Sequence, residues 1–151
     1  MSNKRLAGIL GSCIALIIAI VVIATLDPKP VTNYSTLLRY LRDSGASIVE
    51  KGEISVGFFD IEGRRVAVNE SNIDVYEYAN AEAMEVEASW VSPEGCSFRK
   101  GKGNIAEVCF VDWIAPPHFY KAGRIIAFYC GDNDSIINLL ENVLGTQFAG
   151  M

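Results

Sequence analysis

The feature that most constrains this chain is an uninterrupted apolar run over residues 6–26, which contains no charged side chain. Its most polar members are Ser12 and Thr25. At the helical rise of about 1.5 Å per residue, the run would extend roughly 31 Å, close to the hydrocarbon thickness of a bilayer. It therefore predicts a transmembrane signal anchor that contacts membrane lipid.

The residues that flank this run predict its orientation. Lys4 and Arg5 precede it, and basic residues are retained on the cytoplasmic side of a membrane. We therefore expect residues 1–5 to be a cytoplasmic N-terminus and the protein to be a single-pass membrane protein. Residues 27–31 include two prolines and are predicted to be a short stiff linker. Residues 32–151 then form an extracytoplasmic domain.

Two other interpretations of the N-terminal segment place the domain in the same compartment. A cleaved signal peptide could end after Ala24, although the apolar run exceeds the usual h-region of about 7–15 residues. Cys13 follows Leu10-Gly11-Ser12 as the cysteine of a lipobox does, although few apolar residues precede it. The signal anchor remains the favoured interpretation.

Small residues recur every fourth position along the apolar run, so one side of a helix there would be a ridge of small side chains. Such ridges let two helices approach closely in lipid. The ridge predicts pairing with another membrane helix, as in an accessory subunit of a membrane complex, or it reflects the general frequency of small residues in such helices. Its members are Ala7, Gly11, Ala15 and Ala19.

Charge and length limit the function of the remaining chain. The 151 residues allow one ordinary domain, and the net charge of −5 divides into +2 over the first thirty residues and −7 over the rest. An acidic domain is a poor ligand for nucleic acid, because phosphates require Lys and Arg to replace their counterions. Glu82, Glu85 and Glu87 are interpreted as part of a solvated acidic face.

Helical and extended patterns alternate along the domain. Helices are predicted over 32–45, with Thr32 or Asn33 as the cap, over 80–91, and from a cap at Asp132 or Asn133 to Gly145. Extended segments are predicted over 47–56, 63–68, 73–78, 96–113 and 124–129, with turns around 69–72 and 115–117. Because turns join most of these strands, the pattern predicts an α+β fold in which a small antiparallel sheet has helices packed on one face.

Cys96 and Cys109 lie at equal distances from Lys102-Gly103, in a segment that is predicted to be a β-hairpin. If the hairpin turned there, the two cysteines would be directly opposite, within disulfide reach. An exported domain is exposed to oxidising conditions, so we predict this disulfide. The alternative is a pair of small buried residues.

The most unusual stretch runs from Asp112 to Lys121 and combines aromatic, polar and proline residues. A rigid loop of this kind often carries a binding site. We predict that it binds a ligand through Asp112, Trp113, His118 and Tyr120, together with the nearby Arg124. The other interpretation, which the residues themselves favour, is a structural turn in which His118 and Tyr120 form internal hydrogen bonds.

No catalytic residue, metal site or cofactor is predicted from the sequence. The cysteine spacing does not match a zinc site. His118 and Cys130 could form a nucleophile pair, but the sequence offers no third residue that would orient the histidine. We therefore favour a non-enzymatic binding module for an envelope protein or a small ligand. The alternatives are a small hydrolase or redox enzyme that uses His118 and Cys130, and the accessory subunit.

One further observation concerns several stretches of the C-terminal half, which are Val75–Tyr78, Val91–Gly95, Trp113–Tyr120, Gly123–Ile126, Leu139–Glu141, Val143–Gly145 and Gln147–Gly150. In these stretches the chain resembles small, functionally uncharacterised bacterial envelope proteins. The resemblance implies a membrane-anchored exported domain and assigns no activity. The hairpin between Cys96 and Cys109 is longer here than in those proteins, so its role does not carry over.

Overall fold

The computed structural model describes residues 30–55, 58–102 and 105–151, which form three short helices and eight strands. The helices are α1 (Tyr34–Asp43), α2 (Ala81–Ala88) and α3 (Asp134–Leu144). The strands are β1 (Ile48–Ile54), β2 (Gly63–Val68), β3 (Ser71–Glu77), β4 (Ser97–Lys102), β5 (Ile105–Phe110), β6 (Pro117–Ala122), β7 (Ile125–Cys130) and β8 (Ala149–Gly150).

Six strands form one sheet in the order β1-β2-β3-β7-β6-β8, and every neighbouring pair is antiparallel. Strands β4 and β5 form a separate two-stranded sheet. The central pairing joins β3 to β7, with Ile73 opposite Tyr129. The chain between β3 and β6 must therefore leave the sheet and return to it, and β6 then leads directly into β7.

The central strand β7 is apolar on both sides, and residues 125–129 are all buried. A strand with this pattern requires cover on both faces of its sheet. On one face, Val66, Val75 and Ala127 pack against α1 and α3. On the other face, Tyr76 and Phe128 pack against α2, the β4–β5 hairpin and the loop that contains Phe58 and Phe59.

The predicted fold class is therefore wrong. The structure is mostly sheet, and its helices lie on both faces rather than on one. Adjacent residues such as Val75 and Tyr76 in β3 are both apolar, so each face of the sheet has its own core cluster. The alternation of apolar and polar residues along single strands did not indicate this second core cluster.

No helix within the described ranges is both long enough and apolar enough to cross a membrane. This finding corrects two predictions, the transmembrane helix and the single-pass membrane location, and the structure supports neither of them. Residues 6–26, their contact with lipid and the helix pairing through Ala7, Gly11, Ala15 and Ala19 lie outside the described residues.

A second correction concerns residues 117–121, which were predicted to be part of a rigid loop. They belong instead to β6, an inner strand of the sheet. Pro117 is its first residue, where the missing N–H is tolerated. The first and last helices start with Asn33 and Asn133 as caps, as the sequence predicts. The turn between β2 and β3 is also confirmed at Asn69 and Glu70.

Gly123 joins β6 to β7 with a φ of +55°, directly beneath the start of α1. A Cβ atom at this position would lie 2.4 Å from the Thr32 backbone, and the neighbouring Arg124 N–H donates to the Thr32 carbonyl oxygen at 3.1 Å. The close approach of the two backbones holds α1 against the end of the sheet.

We expect Gly123→Ala to lower the free energy of unfolding by about 2–5 kcal/mol, because it adds a backbone clash to an unfavourable φ. Gly45→Ala is the matched control, since Gly45 also has positive φ but a Cβ atom added to it would meet nothing within 4 Å. It should cost about 1–2 kcal/mol. Urea unfolding measures both values, and equal losses would contradict the close packing at Thr32.

Candidate binding surface

The five residues predicted to bind a ligand lie in three separate places. Asp112 and Trp113 line a concavity beside the β4–β5 hairpin. His118 and Tyr120 are buried in β6 on the face that α1 and α3 cover. Arg124 follows β6 at the opposite end of that strand. The structure therefore groups Asp112 with Trp113 and His118 with Tyr120, and it separates these two pairs from each other and from Arg124.

His118 is 5% exposed, and both of its ring nitrogens have partners. Nε2 lies 3.0 Å from the Gly131 carbonyl oxygen, which can only accept, so this nitrogen carries a proton. Nδ1 lies 2.7 Å from the Gln147 side-chain amide. The ring also stacks on Tyr129 at 5.9 Å between centroids. His118 thus ties β6 to the segments before and after α3.

Cys130 lies on the other face of the sheet from His118. It is the register partner of Pro117, and adjacent residues of a strand point to opposite faces. Its thiol donates to the Ala115 carbonyl oxygen at 3.3 Å. The sheet therefore separates the thiol from the imidazole, and the two cannot exchange a proton directly.

Tyr120 is fully buried, and its hydroxyl has no hydrogen-bond partner within the part of the chain that the structure describes. Burial, with a smaller contribution from the negative charge of Glu141, raises its pKa to about 12. An unpaired buried hydroxyl destabilises the fold by about 1–3 kcal/mol. Its position in the core excludes direct contact with a bound molecule in this conformation.

Arg124 is held by an ion pair to β3. Its Nη2 and Nε atoms donate to Oε1 of Glu77 at 2.7 and 3.1 Å. Arg64 approaches the other carboxylate oxygen of Glu77 at 3.6 Å, and its guanidinium lies over the ring of Tyr34. These contacts connect the β6–β7 turn, β2 and α1, so the guanidinium of Arg124 is a structural contact here.

Trp113 combines a partly buried ring with an exposed neighbour. Its indole Nε1 donates to the Gly95 carbonyl oxygen at 2.8 Å, and its ring packs against Phe128 at 4.8 Å between centroids. The next residue, Ile114, is fully exposed. The ring thus forms the fixed base of a surface on which an apolar side chain is left in water.

We call this surface the Trp113 concavity. It has a volume of about 430 Å³ and is open to solvent. Met151, which is 63% exposed, lies on its rim with Ile114, and Asp112 contributes its only ionisable carboxylate side chain. Its lining residues are Cys96, Val111, Asp112, Trp113, Ile114, Ala115, Pro116 and Met151.

A larger concavity, of about 560 Å³, lies between the C-terminal ends of α1 and α3. Its apolar lining includes Tyr40, Val143 and Leu144, which are partly buried against the core cluster on that face. Its lysine, Lys121, is paired with Glu85. Because none of its lining residues is among the large apolar residues that the structure leaves exposed, whereas Ile114 and Met151 are, we favour the Trp113 concavity as a binding site.

The predicted disulfide is wrong, since Cys96 and Cys109 are both free thiols. The strands pair Lys102 with Ile105, which places Cys109 opposite Phe98 rather than Cys96. The hairpin centre is one residue later than the sequence symmetry implies, so the cysteines are diagonal neighbours. Their Cα atoms are then about 7–8 Å apart, beyond the usual disulfide range of about 4.4–6.8 Å.

Glu87 is buried, although it was assigned to a solvated acidic face. It is 8% exposed, and its Oε2 atom accepts from the Asp60 N–H at 3.1 Å and from the Tyr78 hydroxyl at 3.2 Å. Burial raises its pKa above the ordinary value for glutamate. The sequence does contain a signal for the burial of Glu87. It follows the apolar Met84 by three residues, so both lie on one side of α2.

Comparison with protein-family models, curated proteins and solved structures finds no match to this chain. The resemblance to small bacterial envelope proteins therefore stays a prediction.

We expect Tyr120→Phe to raise the free energy of unfolding by about 1 kcal/mol, because it removes a buried hydroxyl that has no partner. Tyr78→Phe is the matched control and should lower it by about 1–2 kcal/mol, since that hydroxyl bonds to Glu87. Urea unfolding at neutral pH measures both. Destabilisation by Tyr120→Phe would show that its hydroxyl has a partner.

The same variant should alter alkaline stability. The folded-state pKa of Tyr120 is about 12, above its ordinary value of about 10. The unfolded chain therefore releases the hydroxyl proton at a lower pH than the folded protein does. The stability that the folded protein gains from keeping this proton is fully present below pH 10 and is lost as the pH rises through 12. Tyr120→Phe should unfold at higher pH than the wild type in a titration followed by circular dichroism.

Proposed function

We propose that this domain is a non-enzymatic binding module that takes an apolar segment of a partner protein at the Trp113 concavity. The observation that carries the proposal is the complete exposure of Ile114 beside the fixed ring of Trp113. Isolated apolar residues on a surface are ordinary. Here, however, two large ones, Ile114 and Met151, share the rim of one open concavity.

The geometry of this surface favours a protein segment. Burial of apolar area stabilises a complex by about 25 cal/mol per Å², and aromatic side chains are common at the centres of interfaces. Trp113 needs no reorganisation to serve as such a centre, because its indole N–H and its ring are already held in place. Asp112 at the same site favours a basic residue next to the apolar one in the partner.

No observation favours the hydrolase or redox alternative. The His118 ring is enclosed and hydrogen-bonded at both nitrogens, and Cys130 lies on the opposite face of the sheet. The arrangement lacks an accessible nucleophile next to a base, which covalent catalysis requires. The non-enzymatic interpretation rests on these placements together with the concavity.

The experiment is site-specific photo-crosslinking in the organism that encodes the chain. A photoreactive amino acid is placed at Ile114 and, as a matched control, at Val86, an apolar residue on α2 that is 52% exposed. We expect one dominant heteromeric product at position 114 and none at position 86. Mass spectrometry identifies the partner.

A second change tests whether the concavity itself is responsible. Met151→Asp places a carboxylate on the apolar rim and should abolish the product at position 114. Equal capture at positions 114 and 86, or capture that Met151→Asp leaves unchanged, would contradict the proposal. A product that contains only two copies of this chain would also contradict it.

A further inference from the structure

The outer edge of β5 is open within the part of the chain that the structure describes, because this strand pairs only with β4. The other open edges are protected. Strand β1 has a bulge between Glu50 and Gly52 and carries exposed charges, whereas β8 has only two residues. Strand β5 has no bulge and no proline, and Glu107 is its only charge. Unprotected edges of this type readily accept another strand.

Hydrogen bonds show which residues of β5 point toward that open edge. The Val111 N–H donates to the Cys96 carbonyl oxygen at 3.0 Å, so residue 111 faces β4. Because successive residues alternate, the backbone N–H and C=O groups of Val108 and Phe110 face away from β4. The Phe110 carbonyl oxygen accepts a long contact of 3.8 Å from the Cys109 thiol and keeps a second lone pair, so these groups are available to a further strand.

The side chains at the same edge are apolar and in water. Val108 is 45% exposed and Phe110 is 81% exposed, and both lie on the outer face of the hairpin beside Arg99 and Ser97. The proposed partner protein at the Trp113 concavity does not account for these two residues. A strand added to β5 would satisfy the backbone groups and shield both side chains.

We infer that a second copy of this chain pairs with β5, antiparallel and about a two-fold axis at Val108. In this register residues 106–110 lie opposite the same residues of the second copy, so nearly the whole of β5 is used in both copies. Val108 would lie opposite Val108 of the second copy, and Phe110 opposite Ala106. The two hairpins then form one four-stranded sheet.

The charges of the strand are compatible with this register. Glu107 lies opposite Cys109 of the second copy, so the two glutamates do not face each other. Arg99 lies opposite Val108 in β4, so the two copies of Arg99 are three strand spacings apart, about 14 Å. That separation exceeds the Debye length of about 8 Å at physiological salt, so repulsion between them is largely screened.

The test is disulfide trapping in the full chain with Cys13, Cys96 and Cys109 replaced by serine. In the inferred register the Cα atoms of the two Val108 residues are about 5.5 Å apart, within disulfide reach. Val108→Cys should therefore shift the protein to a covalent dimer of twice the chain mass under mild copper-phenanthroline oxidation. Non-reducing electrophoresis and mass spectrometry measure this shift.

Two matched variants test the edge and the register. Val49→Cys introduces a thiol at a comparably exposed valine on β1, and Phe110→Cys introduces one on β5 that the two-fold axis places far from its own copy. Neither should be trapped as a dimer. Failure of Val108→Cys to be trapped, or equal trapping of either control, overturns the inference.

A measurement without cysteine substitution gives a second readout. The wild-type chain should sediment as a dimer, and Phe110→Lys should shift it to the monomer. A wild-type monomer at all concentrations also overturns the inference. Since neither experiment alters Ile114 or Met151, its outcome is independent of the partner binding proposed above.

Discussion

Pairing between β3 and β7 organises the rest of the structure. Each strand carries apolar side chains on both of its sides, so the sheet that they form must exclude water from both faces. Helices α1 and α3 provide that cover on one face. On the other face, α2, the hairpin and a cluster of aromatic rings provide it, with Phe119 and Phe128 stacked at 4.6 Å between centroids. The position of each peripheral element follows from this requirement.

Local signals in the sequence predicted most of the individual elements. Asparagine caps marked the starts of the first and last helices, and the apolar run at 125–129 marked β7. The strand β6 was missed because a double proline and polar residues are more typical of loops. Its residues are compatible with a strand only because β7 and β8 lie on either side of it. That information is not local.

Register was equally difficult to predict from the sequence. The symmetry of Cys96 and Cys109 was real, but a shift of one residue in the centre of the hairpin moved each cysteine away from the other by two positions. The binding-site prediction failed to group its residues for a related reason. Neighbours along the stretch 112–124 are distributed to both faces and to both ends of one strand, whereas the sequence pattern suggested a single loop.

The polar groups that the sequence analysis selected as candidate site residues are engaged within the fold. The imidazole of His118 and the guanidinium of Arg124 each connect two or more segments, and Trp113 anchors its loop through one hydrogen bond. The two surfaces to which we assign recognition are an apolar concavity and an open strand edge. Recognition by such surfaces depends on shape and burial, so its specificity comes from contact area and from strand register.

The separation of β3 and β7 along the chain has a consequence for biosynthesis. The meander of β1, β2 and β3 emerges from the ribosome well before β7, and its inner edge stays open until residues 125–130 have been made. During that interval Val75 and Tyr76 lack their final neighbours, and nascent chains with exposed strand edges tend to aggregate. Chaperones that hold such intermediates should therefore matter more for the yield of this protein than its modest size implies.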